Sequence, residues 1–279
     1  MKKSINGWSI PGDVSFEDMF AKISKAGFDG IELNLDMLDT PAQGHSLSAM
    51  MTDGEIDAIV ALSKKYSLPI ASISSSLYGG TLGSPDPAER EKGKNIMRAQ
   101  IKLAQKLGAD GILCVPGGIG GSVSYMKAHE LSLATMIEMK DEIMAGGIFV
   151  GVENVWNGFF MSPFDMRNFI DAVNCPLVGA YFDVGNVMVT SAPEHWIEVL
   201  GERIKKVHVK DFHCTHGRYS GWFVNLLEGS VNWENAVNAL KKAGFDGYLT
   251  AELDIMRQCP DFLYDLTAKS IGIIIDKIH

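Results

Sequence analysis

Runs rich in valine, isoleucine and leucine alternate with longer stretches whose apolar residues recur every three to four positions, from one end of the chain to the other. The runs predict strands over Ile5–Ile10, Gly30–Leu35, Pro69–Leu77, Gly111–Val115, Ile148–Val155, Leu177–Asp183, Ile204–Phe212 and Gly247–Asp254. Between them Phe16, Met19, Phe20 and Ile23 form one helical stripe; Ile96, Ile101, Leu103, Ala104 and Leu107 form a second, and Trp233, Val237 and Leu240 a third. Ser15-x-x-Asp18, Thr52-x-x-Glu55 and Ser162-x-x-Asp165 fit the capping box, in which two side chains satisfy the first free N–H groups of a helix. Gly27, Gly108 and Gly244 suit helix ends that need a left-handed residue.

Those glycines sit in a weak internal repeat: Lys25-Ala-Gly-Phe-Asp-Gly-Ile, Lys106-Leu-Gly-Ala-Asp-Gly-Ile and Lys242-Ala-Gly-Phe-Asp-Gly-Tyr each close a helix and open a strand. Eight strand–helix units in 279 residues predict a single-domain (β/α)8 TIM barrel spanning residues 1–279. A doubly wound sheet is the alternative, but no GxGxxG follows the first strand.

Composition narrows the function. Hydrophobic residues make up 46% of the chain and charged ones 21%, enough apolar material for a large core and too much for disorder. The net charge of −9 argues against general nucleic-acid binding, although one local cation suffices for a small anionic substrate. No apolar run approaches the length of a membrane span, and the N-terminal Met1-Lys-Lys-Ser-Ile has no apolar signal core behind it. Cys114, Cys175, Cys214 and Cys259 lack any CxxC spacing and predict reduced thiols in a cytoplasmic protein.

In a TIM barrel the chemistry sits at the C-terminal strand ends. The last four predicted strands end near Glu153, Asp183, His208 and Glu252. Alternate side chains of a strand share a face. In each strand the aliphatic residues take one face, such as Val150 and Val152 or Val207 and Val209, and the ligand-type residue falls on the other. Three carboxylates crowded together repel each other unless a divalent cation intervenes, and three carboxylates with one imidazole suit Mn²⁺, Zn²⁺, Co²⁺ or Mg²⁺.

The runs Gly151-Val-Glu-Asn-Val-Trp-Asn, Phe182-Asp-Val-Gly-Asn, Val207-His-Val-Lys-Asp-Phe and Leu249-Thr-Ala-Glu-Leu resemble the sugar phosphate isomerase/epimerase family of xylose isomerase-like barrels. The resemblance covers essentially the whole chain and includes ketose and L-xylulose-5-phosphate 3-epimerases. It implies one divalent metal, with Mn²⁺ favoured, held by Glu153, Asp183, His208 and Glu252, and it implies Glu153 and Glu252 as the two acid/bases. It also implies a small-molecule sugar or sugar phosphate as partner and a homodimer or homotetramer. Free-ketose 3-epimerases read Asp-x-x-His in strand six; Asp183-Val-Gly-Asn186 departs from that and looks more like the sugar-phosphate branch. Endonuclease IV, a DNA-repair relative, needs further histidines that are missing after strand three.

The chemistry so implied is proton abstraction beside a carbonyl, through a metal-stabilised cis-enediolate, with Glu153 and Glu252 serving opposite faces. C3 epimerisation of a ketose or ketose phosphate is the first reading. Aldose–ketose isomerisation of the hydroxypyruvate-isomerase type, an inosose-dehydratase-type lyase and a non-catalytic sugar-binding barrel stay open. Substrate contacts are expected from Lys210, one step above His208 on its face, and from Asn186, Trp156 and Glu32 at strand ends. Arg218, in a long loop running from about His213 to Ser230, is the expected anion anchor, because phosphate sites in this fold often use loops after strands seven and eight.

Overall fold

The computed structural model describes residues 1–120, 123–216 and 219–276. Eight strands close a parallel barrel: β1 (Lys2–Asn6), β2 (Gly30–Met37), β3 (Ile70–Ser74), β4 (Gly111–Cys114), β5 (Phe149–Glu153), β6 (Val178–Asp183), β7 (Ile204–Val209) and β8 (Tyr248–Ala251). Closure comes from β1, which pairs in parallel with β8 (Ser4 with Thr250) and with β2 (Ser4 with Gly30). This is the (β/α)8 barrel that the alternation predicts. The helices wrap it as α1 (Phe16–Ala26), α2 (Asp53–Lys65), α3 (Pro87–Leu107), α4 (Tyr125–Glu138), α5 (Lys140–Gly146), α6 (Pro163–Val173), α7 (Pro193–Leu200), α8 (Trp233–Lys242) and α9 (Pro260–Asp276). No helix among the described residues is long and apolar enough to cross a membrane.

Local signals act as their chemistry requires. The Thr52/Glu55 and Ser162/Asp165 capping boxes form completely. Gly27 and Gly108 end α1 and α3 at φ 88° and 77°, a conformation that costs a glycine little. The stripe Met19, Phe20 and Ile23 is buried against the sheet. Aliphatic residues fill the layer between strands and helices, whereas the pore is polar: Glu32, Ser72, Tyr181 and His208 meet inside it, and Lys206 reaches across to the Ala71 carbonyl at 2.7 Å.

Several strand boundaries differ from the sequence expectation by a few residues, and two of the differences shape the site. β1 ends at Asn6, not Ile10, because the Asn6 side chain accepts the Trp8 N–H (2.6 Å) and folds Gly7–Ser9 into a 3-10 turn. The seventh strand does not run on to Phe212. Its pairing with β8 ends at Val209 opposite Ala251. Beyond Lys210, Asp211–Cys214 instead pairs antiparallel with Gly221–Val224. The long loop expected there is thus a hairpin followed by a tight turn.

The β3–β4 junction is thinly paired, with Ile73 opposite Ile112 as its register. The buried Gln100 of α3 braces it, donating to the Ile73 carbonyl (3.0 Å) and the Leu113 carbonyl (3.1 Å) and accepting from Tyr78 Oη (2.6 Å). Replacing it by an apolar side chain strands these partners away from water. Gln100→Leu is expected to lower unfolding free energy by about 2–4 kcal/mol, read from urea denaturation; a loss within experimental error would show that the brace carries no stability.

Candidate metal centre and substrate mouth

Glu153, Asp183, His208 and Glu252 come together at the C-terminal ends of β5 to β8, where one ligand atom from each lies within 4.8 Å of all the others. The period-2 pattern puts them there. Glu153 and Asp183 are the last residues of their strands, His208 is next to last in β7, and Glu252 follows β8, its N–H bonded to the Val209 carbonyl (3.2 Å). His208 is the hub: its Nδ1 faces Glu153 Oε1 at 3.2 Å, Glu252 Oε2 at 3.5 Å and Asp183 Oδ2 at 3.9 Å.

The other ring nitrogen explains the orientation. His208 Nε2 lies 2.7 Å from Glu32 Oε1, and the fully buried Glu32 carboxylate is further held by Asn6 Nδ2 (2.5 Å), Ser72 Oγ (2.5 Å) and Tyr181 Oη. Burial works against the charge on Glu32, but the His208 ring and these donors hold its carboxyl down at about 2. An ionised Glu32 accepts the Nε2–H bond and leaves Nδ1 as the nitrogen aimed at the three carboxylates, the usual arrangement behind a metal-bound histidine. Glu32 therefore sits beneath the cluster with its oxygens engaged inside the barrel, not at the mouth where a substrate contact was expected.

Burial and mutual repulsion push the Asp183 carboxyl up and Glu153 up to about 7. Glu252, less deeply buried, goes the other way, because Lys210 and His208 hold its carboxyl down. Lys210 Nζ lies 2.6 Å from Glu252 Oε2 and 3.1 Å from Asp183 Oδ2. Gly185 makes this possible: a Cβ there would run into the Lys210 side chain and its carbonyl. Burial lowers the Lys210 pKa, but these carboxylates more than reverse that and raise it. His208 is likewise raised, the facing acids overcoming burial.

A divalent ion fits this donor set. Asp183 Oδ2 is buried without a hydrogen bond, and four carboxylates outnumber the two cationic side chains that face them. Asp183 is framed by a residue the sequence reading overlooked: Asn154 donates to the Asp183 carbonyl and accepts its N–H, both at 2.9 Å. An Asn directly after a strand-end Glu was the available signal. Asn186 completes the frame, giving its N–H to Asp183 Oδ1 (2.8 Å) and its amide to the Asn154 carbonyl (3.0 Å). Its amide is thus spent on backbone.

Trp156 donates to the Asn186 carbonyl (2.8 Å) and packs on Phe223, with ring centroids 4.8 Å apart. It lines a separate apolar cavity of about 320 Å³ beside Phe160 and Trp196. The mouth over the cluster is a larger cavity of about 880 Å³, bounded by Trp8, Lys210, Phe223, Glu228, Glu252 and Arg257 among others. Arg257 follows β8 and forms no ion pair among the described residues; no periodicity marks such a loop position, and the sequence reading missed it. Arg218 lies outside the described residues.

The sequence profile of the xylose isomerase-like TIM barrel family matches residues 20–268. Among curated proteins, SgbU of Escherichia coli, named for an inferred L-ribulose-5-phosphate 3-epimerase activity, is 25% identical over 88% of this chain and 86% of its own. Among solved structures, a D-tagatose 3-epimerase-like protein superposes with TM-score 0.80 at 20% identity, covering 99% of both chains. A D-allulose 3-epimerase from Methylomonas sp. in complex with D-allulose gives TM-score 0.74 at 20% identity, over 99% of this chain and 96% of that one.

The geometry yields two expectations. Glu32→Gln should leave the fold intact and weaken Mn²⁺ binding about 10–100-fold, measured by titration calorimetry; unchanged affinity would remove Glu32 from the centre. Protons held on His208 and Glu153 compete with the ion, so affinity should rise as pH rises from 6 to 8, by up to about 10-fold per unit for each proton displaced. Calorimetry in two buffers of different ionisation enthalpy reads the released protons, and an absence of release would contradict the raised pKa values.

Proposed function

The chain belongs to the xylose isomerase-like TIM barrel family, its curated kinship is with isomerase-class sugar epimerases, and on that premise we propose that it epimerises a ketose or ketose phosphate at C3. The observation that carries this reading is the placement of two carboxylates on one cluster. Glu153 at the end of β5 and Glu252 just after β8 both face His208 Nδ1, at 3.2 and 3.5 Å, from separate strands. Inversion by a two-base route needs one group holding a proton and one ready to take it. Glu252, kept ionised by Lys210, takes the C3 proton from one face; Glu153 returns one to the other.

Glu153, Asp183, His208 and Glu252 would hold a divalent ion, Mn²⁺ by preference. When bound it supplies Lewis-acid stabilisation for the negative charge that develops on the substrate oxygens. Lys210 meets the same developing charge from the mouth, whose walls include Trp8 and Phe223. The reading extends to residues 1–279 as one catalytic domain, to a cytoplasmic setting in keeping with free cysteines, and to a homodimer or homotetramer. The substrate's anionic end, where it has one, meets Arg257, with Arg218 as the second candidate.

Solvent exchange tests the chemistry directly. The Mn²⁺-loaded protein in D₂O, given L-ribulose 5-phosphate, D-allulose and D-tagatose in turn, should place deuterium at C3 of one of them, and EDTA should abolish it. Label at C1 or C2 would mean aldose–ketose isomerisation, loss of water would mean the lyase, and no exchange with metal bound would mean binding alone. Glu153→Gln and Glu252→Gln should each lower kcat about 10²–10⁴-fold; near-normal turnover in either would exclude the two-base route. Arg257→Ala should raise KM about 10-fold or more for the phosphorylated sugar only; equal effects on free sugars would deny it the anion.

A further inference from the structure

Asp211 is 1% exposed, and among the described residues no cation pairs with it. Four N–H groups converge on its carboxylate instead. Oδ1 accepts from Phe212 N (2.9 Å) and Val231 N (3.2 Å), and Oδ2 from Leu227 N (3.0 Å) and Trp233 Nε1 (3.0 Å). The chain bends against its preferences to make these bonds. Leu227 sits at φ 74°, where a side chain is disfavoured, and a Cβ on Gly229 would collide with the Asp211 carboxylate. Ser230 adds a bond from its N–H to the Phe212 carbonyl (2.8 Å), and its hydroxyl accepts the Cys214 N–H (3.0 Å).

All of these donors except Trp233 lie in the hairpin and turn that bring Phe223, Val224, Asn225 and Glu228 to the mouth. The hairpin is coupled to the centre at its other side. The Phe223 ring lies 5.2 Å from Lys210 Nζ and packs against Trp156 and Phe212. Lys210 and Asp211 are neighbours in sequence with separate duties: one ammonium reaches the cluster, and the next carboxylate knots the hairpin base.

We propose that Asp211 is a positioning residue for substrate capture, fixing residues 211–214 and 221–231 as the outer wall of the mouth without touching substrate or metal. The capture role rests on reading that mouth as the sugar site; the knot itself does not. A carboxylate suits this task because each oxygen accepts two N–H groups, whereas an amide at the same place turns a donor toward two of them.

The test compares Asp211→Asn with the parent, both full-length and Mn²⁺-loaded, by amide hydrogen exchange and by kinetics on L-ribulose 5-phosphate. Exchange across 212–231 should quicken about 10-fold or more while 204–209 and 248–251 keep their protection. KM should rise about 10-fold with kcat within about threefold and Mn²⁺ affinity unchanged. Unchanged exchange overturns the proposal, as does acceleration across the whole barrel or a fall in kcat at constant KM. A parent protein inert on this sugar refutes the functional reading, and the exchange experiment then decides the knot alone. Should Asp211→Asn fail to fold, Trp233→Phe removes one donor and should give the same pattern in smaller measure; unchanged exchange in 212–231 for that variant also overturns the proposal.

Discussion

The structure of this site depends on the balance of charge around His208. Three carboxylates face one nitrogen of its ring from within 4 Å, and a fourth carboxylate faces the other nitrogen. In a buried polar pocket such crowding is unfavourable unless each charge has a specific partner. The partners are asymmetric. Glu32 lies below, bonded by Asn6, Ser72 and Tyr181, and fixes which way the ring points. Lys210 lies above and favours Glu252 and Asp183 over Glu153. The divergence between the two catalytic candidates thus follows from where one ammonium sits, and Gly185 leaves the space for it.

The barrel makes this arrangement cheap. Strand ends deliver side chains to the same rim from neighbouring β5, β6, β7 and β8, so four groups distant in sequence need only correct parity to meet. The pore beneath completes the support with polar residues where aliphatic layers are common in this fold. Tyr181 and Ser72 serve Glu32 there, and glycines make room: a side chain at Gly151 would press on Tyr181. The residues beneath the site are therefore as constrained as those in it.

That parity argument is why the cluster was legible in sequence. A period of two is local, and it sorted Glu153, Asp183, His208 and Glu252 from their aliphatic neighbours without knowledge of the rest. The same argument could not assign Glu32, which shares a face with pore residues of other strands and whose partners Ser72, Tyr181 and His208 lie 40, 149 and 176 positions away. Nor could it end the first and seventh strands. Asn6 stops one through a side-chain bond to Trp8, and the other ends where β8 ceases to offer a partner, events that hydrophobicity does not encode. Asn186 and Trp156 lie at strand ends, but that position does not reveal which groups a side chain bonds; both are bound into the frame of Asp183.

The seventh strand shows how one short stretch can separate chemistry from access. His208, Lys210 and Asp211 lie within four residues. The first two contact the carboxylate cluster, and the third is turned away to gather N–H groups from residues 212, 227, 231 and 233. Because Lys210 touches both Glu252 and the face of Phe223, the wall of the mouth and the ionised carboxylate share one side chain. A displacement of the hairpin would move the ring from the ammonium before it moved the ammonium from the acids, since a charge-assisted bond of 2.6 Å is stronger than a cation–π contact at 5.2 Å. The Lys210–carboxylate contact therefore does not depend on the aromatic face that the hairpin lays over it.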